Sequence, residues 1–443
     1  MSKIIFEEKI KNKTLVVGVI GLGYVGLPLS MTYCKKDFKV IGFDNDQKKI
    51  NNLLNKTNYI SDIDDNILSD MLSNKLFLPT NDSKELSSCD VIFICVPTPI
   101  TKNRVPDISY IESATQLAVK YAKKGVCIIL KSTTYPGTTE EIMAPLFENN
   151  NKKIDKDYFL SFSPERIDPG NKIWNSDNTP IVVGGVTKTS GEIAESIIKS
   201  VIPKVHRVSS SKIAEMEKLL ENIFRSVNIA LVNEMAQMCD RIGGINIWEV
   251  INAAATKPFG FMPFRPGPGI GGHCIQVDPY YLSYCAKGHD FHSEFIELAA
   301  KTNENMPHYV VDELIKVLIR NCKNIYSAKI LFFGVAFKKD VSDTRNSPAI
   351  KIIELLSRIG FKEIYYVDPF VDKISIGNKV YNNINNYKHK ITQFDCCVIA
   401  TDHTLFDYEF IISNANLIFD TRNVNIESKD NYHLIGSGKL CKG

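Results

Sequence analysis

Residues 266–279 read PGPGIGGHCIQVDP, a stretch too rich in glycine and proline to suggest a helix or strand, with the thiol of Cys274 four residues before the carboxylate of Asp278. A cysteine in such a place can be a buried core thiol, a metal ligand or a nucleophile. Glycines such as Gly271 remove side-chain bulk and would let a ligand come close, and a nearby cation would favour the thiolate. From the loop alone, the buried thiol and the nucleophile stand as equal readings. His273 is adjacent, and neighbouring side chains point apart, which argues against a Cys-His base pair. Upstream, Lys218 and Asn222 lie four apart in a helix-forming run, so they share a face and could address one ligand atom. A lone lysine there otherwise reads as part of a solvated polar face. Glu165, in FSPERIDPGN, follows a strand end, where side chains overhang a cleft, although an exposed loop glutamate is the plain alternative.

A second group of residues speaks to a cofactor. Gly21, Gly23 and Gly26 form GxGxxG in GLGYVG directly after an apolar run at residues 15–20. Glycines there permit a tight turn, the approach of a pyrophosphate to the backbone, and close packing of helix on strand. Asp44 ends the next strand, eighteen residues past Gly26, where its carboxylate would accept both ribose hydroxyls and repel a 2′-phosphate. NAD is therefore expected over NADP; a structural turn, or an FAD or SAM site, is the alternative. VPTP with Thr98 and KSTT with Thr133 end later strands on the same carboxyl edge, where ligands bind in such sheets, or else are simple strand punctuation.

These residues need elements to position them. Strands are expected at residues 15–20, 39–44, 91–99, 126–134 and 158–165, alternating with helical stretches, the pattern of a parallel sheet covered on both faces. From residue 212 to 255 the pattern is that of a long amphipathic helix pair, with Ile213, Met216, Leu219, Leu220, Ile223 and Val227 at three- and four-residue spacing. A further helical stretch is expected at 280–321. After residue 327 the strands resume with KILFFGVAF, EIYYVDPF, DCCVIATD and NLIFDTR, lacking a second GxGxxG. The fold class is thus α/β: an N-terminal Rossmann-type doubly wound domain (1–207), a central long-helix region (208–320) and a second Rossmann-like domain (321–443).

Composition narrows the function. The 53 basic and 50 acidic residues leave a net charge of +3, without the footprint of a nucleic-acid binder. The N-terminus alternates charge and no apolar run approaches a membrane span, so a cytoplasmic protein with no membrane partner is expected. Eleven cysteines without a CxxC pair argue against a disulfide framework or structural zinc. Cys95 and Cys127 read as reduced core thiols, His289 and His292 as ordinary helix residues, and no metal site is expected.

In order, GLGYVG with Asp44, VPTP, KSTTYPGTT, SPERIDPGN, EKLLENIFRSVNIALVNE, GGHCIQVDP and GVAFKKDVSDTRNSP resemble the UDP-sugar 6-dehydrogenases over nearly the whole chain, to about residue 423. The resemblance implies a four-electron oxidation of the C6 hydroxyl of a nucleotide sugar to a carboxylate with two NAD reduced. It implies Cys274 as the nucleophile that retains the aldehyde, Lys218 and Asn222 as donors to the oxygen that becomes anionic, Asp278 and Thr133 as groups positioning water, and Glu165 beside the reacting carbon. It also implies cofactor contacts from Gly21, Gly23, Tyr24, Val25, Gly26, Asp44, Thr98, Thr133 and Arg345. Substrate contacts are implied from Gly271, Phe337, Lys338 and Arg422, and from Arg265 reaching across from a neighbouring subunit of a homodimer built around the long helices. Val277 before the aspartate, RIDPGN after the glutamate, and KPFGFMPFRPGPG before the cysteine look more like bacterial enzymes acting on UDP-N-acetylhexosamines, UDP-N-acetylglucosamine first. Its manno and galacto epimers and UDP-glucose stay open. Enzymes of this branch feed capsule, O-antigen, lipopolysaccharide or related surface polysaccharides.

Overall fold

The computed structural model describes residues 2–60, 63–101, 103–166, 173–174, 178–272, 274–424 and 429–439, with the Cys274 side chain left aside. The chain divides into two compact units, Met1–Glu221 with Tyr280–Phe291, and Asn222–Pro279 with His292–Gly443. The central stretch is shared out between them.

The first unit is built on eight strands: β1 (Val16–Ile20), β2 (Lys39–Phe43), β3 (Phe77–Thr80), β4 (Val91–Ile94), β5 (Val126–Leu130), β6 (Tyr158–Phe162), β7 (Ile181–Gly185) and β8 (Val205–Arg207). Their order is β3-β2-β1-β4-β5-β6-β7-β8, and every pairing is parallel except β6 with β7. Period-two geometry explains why the strands are apolar on both sides. Val91 and Phe93 enter one core while Ile92 and Ile94 enter the other, so helices cover both faces. The order reverses between β1 and β4, and the carboxyl ends there are the glycine turn and the VPTP loop.

The second unit carries β9 (Lys329–Phe333), β10 (Glu363–Val367), a hairpin of β11 (Lys373–Ile376) and β12 (Lys379–Asn382), then β13 (Cys396–Ile399), β14 (Ile418–Asp420) and β15 (Tyr432–Leu434). The main sheet runs β10-β9-β13-β14-β15, all parallel. Ile330 and Phe332 face one core, Leu331 and Phe333 the other. The expected pair of doubly wound sheets is present, with β3, β7, β8, β15 and the hairpin added to the strands the sequence suggested.

The run at 212–255 is the expected helix pair, one of 32 residues (Ser211–Ile242) and a short one (Ile247–Ala254), parted by Gly243 and Gly244, both with positive φ. Two other helical expectations need correction. The stretch at 280–321 is not one helix, because a break at residues 288–293 precedes the helix Glu294–Arg320. The second concerns the cysteine stretch itself, which is irregular only to residue 272, since Cys274 opens the helix Cys274–Lys287. Pro279 sits inside it at the loss of one backbone hydrogen bond. Val277 and Tyr281, one turn apart, are both buried. Among the described residues nine cysteines are free and seven of these are buried, Cys95 with its thiol pushed up to about 12 by burial.

In the second unit the last turns of the long helix are tied to the end of the chain. Asp240 accepts from the N–H groups of Gly436 (2.7 Å) and Gly438 (3.0 Å) and from the Tyr309 hydroxyl. An asparagine would turn one acceptor oxygen into a donor facing an N–H. Asp240→Asn is therefore expected to lower unfolding free energy by about 1–3 kcal/mol, read from denaturant unfolding.

Candidate active site

The glycines after β1 serve three different needs. Gly21 has φ +93°, and a Cβ there would stand 2.6 Å from the Cys95 carbonyl oxygen beyond β4. At Gly26, where the helix Gly26–Cys34 starts, a Cβ would fall 1.8 Å from the Gly21 oxygen. Gly23 is the opposite case, with no atom within 4 Å of the Cβ position. Two glycines are thus required by the fold, and the third leaves open space beside a helix N-terminus that no side chain caps, as a pyrophosphate needs. Val25 precedes that helix and Tyr24 is half exposed.

Asp44, just past β2 and 4% exposed, accepts from Leu22 N–H (2.9 Å), Asp46 N–H (2.9 Å) and Lys49 Nζ (3.0 Å). A carboxylate has about four acceptor positions, so among the described residues these donors leave one for a ligand hydroxyl, fewer than the two ribose hydroxyls expected of it. Thr98 and Thr133 follow β4 and β5; the Thr98 carbonyl receives the Tyr281 hydroxyl (3.0 Å). These features suit a dinucleotide.

Beyond β6 stands a buried charge network. Lys218 is 8% exposed, so the solvated reading fails, and its Nζ donates to the Glu165 main-chain carbonyl at 2.6 Å. Lys131, 4% exposed at the end of β5, donates to the Pro164 carbonyl (3.1 Å) and stands 3.3 Å from Glu165 Oε2. Lys131 was not singled out by sequence, though a lysine ending a fully apolar strand is a signal that could have found it. Glu215, one turn before Lys218, is buried and accepts from Gly137 N–H (2.6 Å) and Thr139 N–H (2.9 Å), fastening the turn after KSTT to the long helix. Burial pushes its carboxyl up, against the pull of the Thr139 and Gly137 donors.

In the second unit, Asn222 Nδ2 donates to Asp278 Oδ2 on the helix that Cys274 opens. Asn222 is 6% exposed and Asp278 1%. The room at the glycines before the cysteine is taken by protein: a Cβ on Gly271 would lie 2.5 Å from Phe337 Cβ, and one on Gly272 3.0 Å from the Phe337 ring. Gly272 N–H donates to the Arg345 carbonyl, and Asn346 Nδ2 donates to the Gly272 carbonyl, both at 3.0 Å. The Arg345 guanidinium pairs with Asp343, while Lys338 is half-buried. Arg422 donates from Nε to the Ala400 carbonyl (2.8 Å) and lies against Gly267. Arg265 is exposed and turns back to Asn252 and the Trp248 carbonyl. His273 and the RIDPGN residues from 167 to 171 lie outside the described residues.

Two buried networks were missed by sequence. Asn233 accepts from Gly267 N–H (3.0 Å) and donates to Asn303 (3.0 Å), which donates to the Ser226 carbonyl (2.9 Å), holding the loop before the cysteine. Asp368, just past β10, accepts from Val335 N–H (2.7 Å) and Ala336 N–H (3.1 Å). Asp340 N–H donates to His403 Nδ1, which leaves His403 Nε2 to donate to Asp368 at 3.1 Å. Asparagines and histidines of this kind carry no local signal.

A dinucleotide loop in one doubly wound unit, with a second such unit following a buried Asn–Asp pair, defines a dehydrogenase with two nucleotide-binding modules. The chain belongs to the UDP-glucose/GDP-mannose dehydrogenase family, matching its NAD binding domain over residues 15–202, its central domain over 212–305 and its UDP binding domain over 331–426. It is an NAD-dependent UDP-sugar dehydrogenase. A UDP-N-acetyl-D-glucosamine 6-dehydrogenase of Pseudomonas aeruginosa is 37% identical over 361 residues, 81% of this chain and 84% of that one. Protein CapL of Staphylococcus aureus is 34% identical over 415 residues, 92% of this chain and 96% of that one. The structure of a UDP-D-ManNAc dehydrogenase from Pyrococcus horikoshii superposes with a TM-score of 0.86 at 32% identity, covering 96% of this chain and all of the other. Among the described residues no helix is long and apolar enough to cross a membrane.

The glycine geometry separates folding from cofactor binding. Gly23→Ala is expected to keep the wild-type melting temperature and raise KM for NAD about tenfold or more. Gly26→Ala is expected to destabilise the unit by about 1–3 kcal/mol or more, because its Cβ meets backbone. Thermal melts and NAD titrations of the two variants check both.

Proposed function

We propose that this enzyme oxidises the C6 hydroxyl of a UDP-N-acetylhexosamine, UDP-N-acetylglucosamine before its epimers, to the uronate for surface polysaccharide synthesis. The observation that carries the reading is the buried Asn222–Asp278 pair, which joins a donor on the long helix to a carboxylate on the helix that Cys274 opens. NAD, held by the turn at Gly21, Gly23 and Gly26 with Tyr24 and Val25, by Asp44, Thr98 and Thr133, and reached by Arg345, supplies hydride-accepting chemistry. The protein's own groups do the rest. Lys218 and Asn222 are N–H donors for the C6 oxygen as it gains negative charge, and their hydrogen bonds inside the protein keep them preorganised. Glu165 contacts substrate or assists proton transfer.

At the aldehyde stage the Cys274 sulfur adds to C6, forming a C–S bond while the oxygen takes a proton, so the aldehyde is retained as a thiohemiacetal. Loss of the second hydride leaves a thioester. Water positioned by Asp278 and Thr133 then attacks, the C–S bond breaks, the uronate leaves and the thiol is restored. Phe337, Lys338, Arg422 and the Gly271 backbone bind the UDP-sugar, joined by Arg265 of a second copy. Support for a homodimer comes from the long helix, whose Met216, Leu220, Phe224 and Leu231 are 44%, 63%, 45% and 56% exposed at four- and seven-residue spacing.

The 37% identity to a UDP-N-acetylglucosamine enzyme favours that sugar, whereas the close superposition on a UDP-ManNAc enzyme favours the manno epimer as second reading. Rates with UDP-N-acetylglucosamine, its manno and galacto epimers and UDP-glucose are expected to rank the first highest; a clear preference for UDP-glucose overturns the N-acetylhexosamine assignment. Cys274→Ala is expected to lower uronate formation by more than about 10³-fold. Two NADH per sugar at wild-type rate in that variant would refute the covalent route.

A further inference from the structure

We infer that Arg166 is a positioning residue for this reaction: it occupies the two carboxylates that flank Lys218 on the long helix and so leaves the Lys218 ammonium aimed at the Glu165 carbonyl. The inference rests on the role proposed for Lys218. Four residues beyond β6, Arg166 spreads its guanidinium over three acceptors. Its Nη1 donates to the Pro180 carbonyl (3.0 Å), and its Nη2 donates to Glu217 Oε1 and to Glu221 Oε1, the latter at 2.6 Å. Its main-chain N–H donates to Glu165 Oε1 at 2.8 Å. One residue thereby touches the side chain of the glutamate whose carbonyl receives Lys218 and both acids beside that lysine.

Helix geometry makes the arrangement consequential. Glu217 and Glu221 are one turn apart on the helix Ser211–Ile242, so as two anions they repel. Lys218 adjoins the first and stands three residues before the second, a spacing at which lysine and glutamate pair readily. The Glu217 side chain is only 22% exposed. Burial, then the neighbouring Glu221, push its carboxyl up to about 7, against the pull of Arg166. Among the described residues, Glu217 Oε2 is buried without a hydrogen-bond partner, and so is Arg166 Nε, so within them the cluster is short of partners even with the guanidinium in place. If the guanidinium were gone, Lys218 would be the cation best placed to neutralise the pair, and it would leave the Glu165 carbonyl to do so.

The test is a set of steady-state measurements on the full-length enzyme with NAD and its best UDP-sugar. Arg166→Met is expected to lower kcat about 10- to 100-fold while KM for NAD stays within about twofold, the size expected when a reacting group is misplaced by an ångström or so. Adding Glu217→Gln and Glu221→Gln to that variant removes the competing anions and is expected to restore kcat about fivefold or more. A merely structural arginine predicts no such rescue. Arg166→Lys keeps a cation that cannot span both acids, and is expected to be intermediate in kcat; it replaces Arg166→Met should that variant melt too low to assay. Wild-type kcat in the arginine variant used, or a loss that the two glutamines do not relieve, overturns the inference. Lys218→Met separates the two levels: if it keeps wild-type kcat, the role proposed for Lys218 fails, whereas a large loss there with an inert Arg166 variant sinks only the positioning role.

Discussion

An ammonium held away from water is costly unless it is hydrogen-bonded, and much of the first unit's site follows from that constraint at Lys218 and Lys131. Both lysines are almost fully buried at the carboxyl edge of the sheet, and both are satisfied by main-chain carbonyls of the segment after β6, Pro164 for one and Glu165 for the other. The segment therefore cannot drift without stranding a charge. Glu215 adds a further tie by accepting from the turn at Gly137 and Thr139. Charges that are expensive to bury become the means by which a loop, a strand end and a helix are held in one geometry.

A related device, with carboxylates in place of ammonium groups, recurs at the start of each sheet. In the first unit Asp44, at the end of the second strand, catches the N–H of Leu22 just after the first. In the second unit Asp368, just past β10, catches the N–H of Val335 just after β9. Each carboxylate bridges neighbouring strand ends and shapes the turn between strand and following segment, whether or not that turn carries a glycine fingerprint. Gly334, with φ +82° and a Cβ position 2.5 Å from Thr401, is the counterpart of Gly21. The second sheet thus reaches a nucleotide-binding edge without GxGxxG, in keeping with its match to a UDP binding domain.

Legibility in the sequence followed how local the physics was. Gly21, Gly23, Gly26 and Asp44 could be read directly because turn, helix start and strand end lie within one βαβ unit. The apolar strands could be read because burial on both faces leaves a continuous hydrophobic run. Short strands such as β3 and β8 could not, since four or three residues of mixed character acquire their state only from a neighbouring strand. The start of a helix at Cys274 was hidden by the glycines and prolines before it. Gly271 was read as room for substrate, but the room is filled by Phe337, a residue sixty-six positions away.

What the sequence by itself determined is the identity and order of the chemical groups: a dinucleotide turn with its acidic partner, a Lys–Asn pair on one helix, and a cysteine followed by an aspartate. Covalent order and short-range sterics settle those. Only the tertiary structure decided which of them are buried and with whom: Lys218 on the Glu165 carbonyl, Asn222 on Asp278, Arg166 between two glutamates. The reason is that the cost of burying a polar group depends on its partners, and those partners come from elements dozens of residues apart that meet only when the chain is packed.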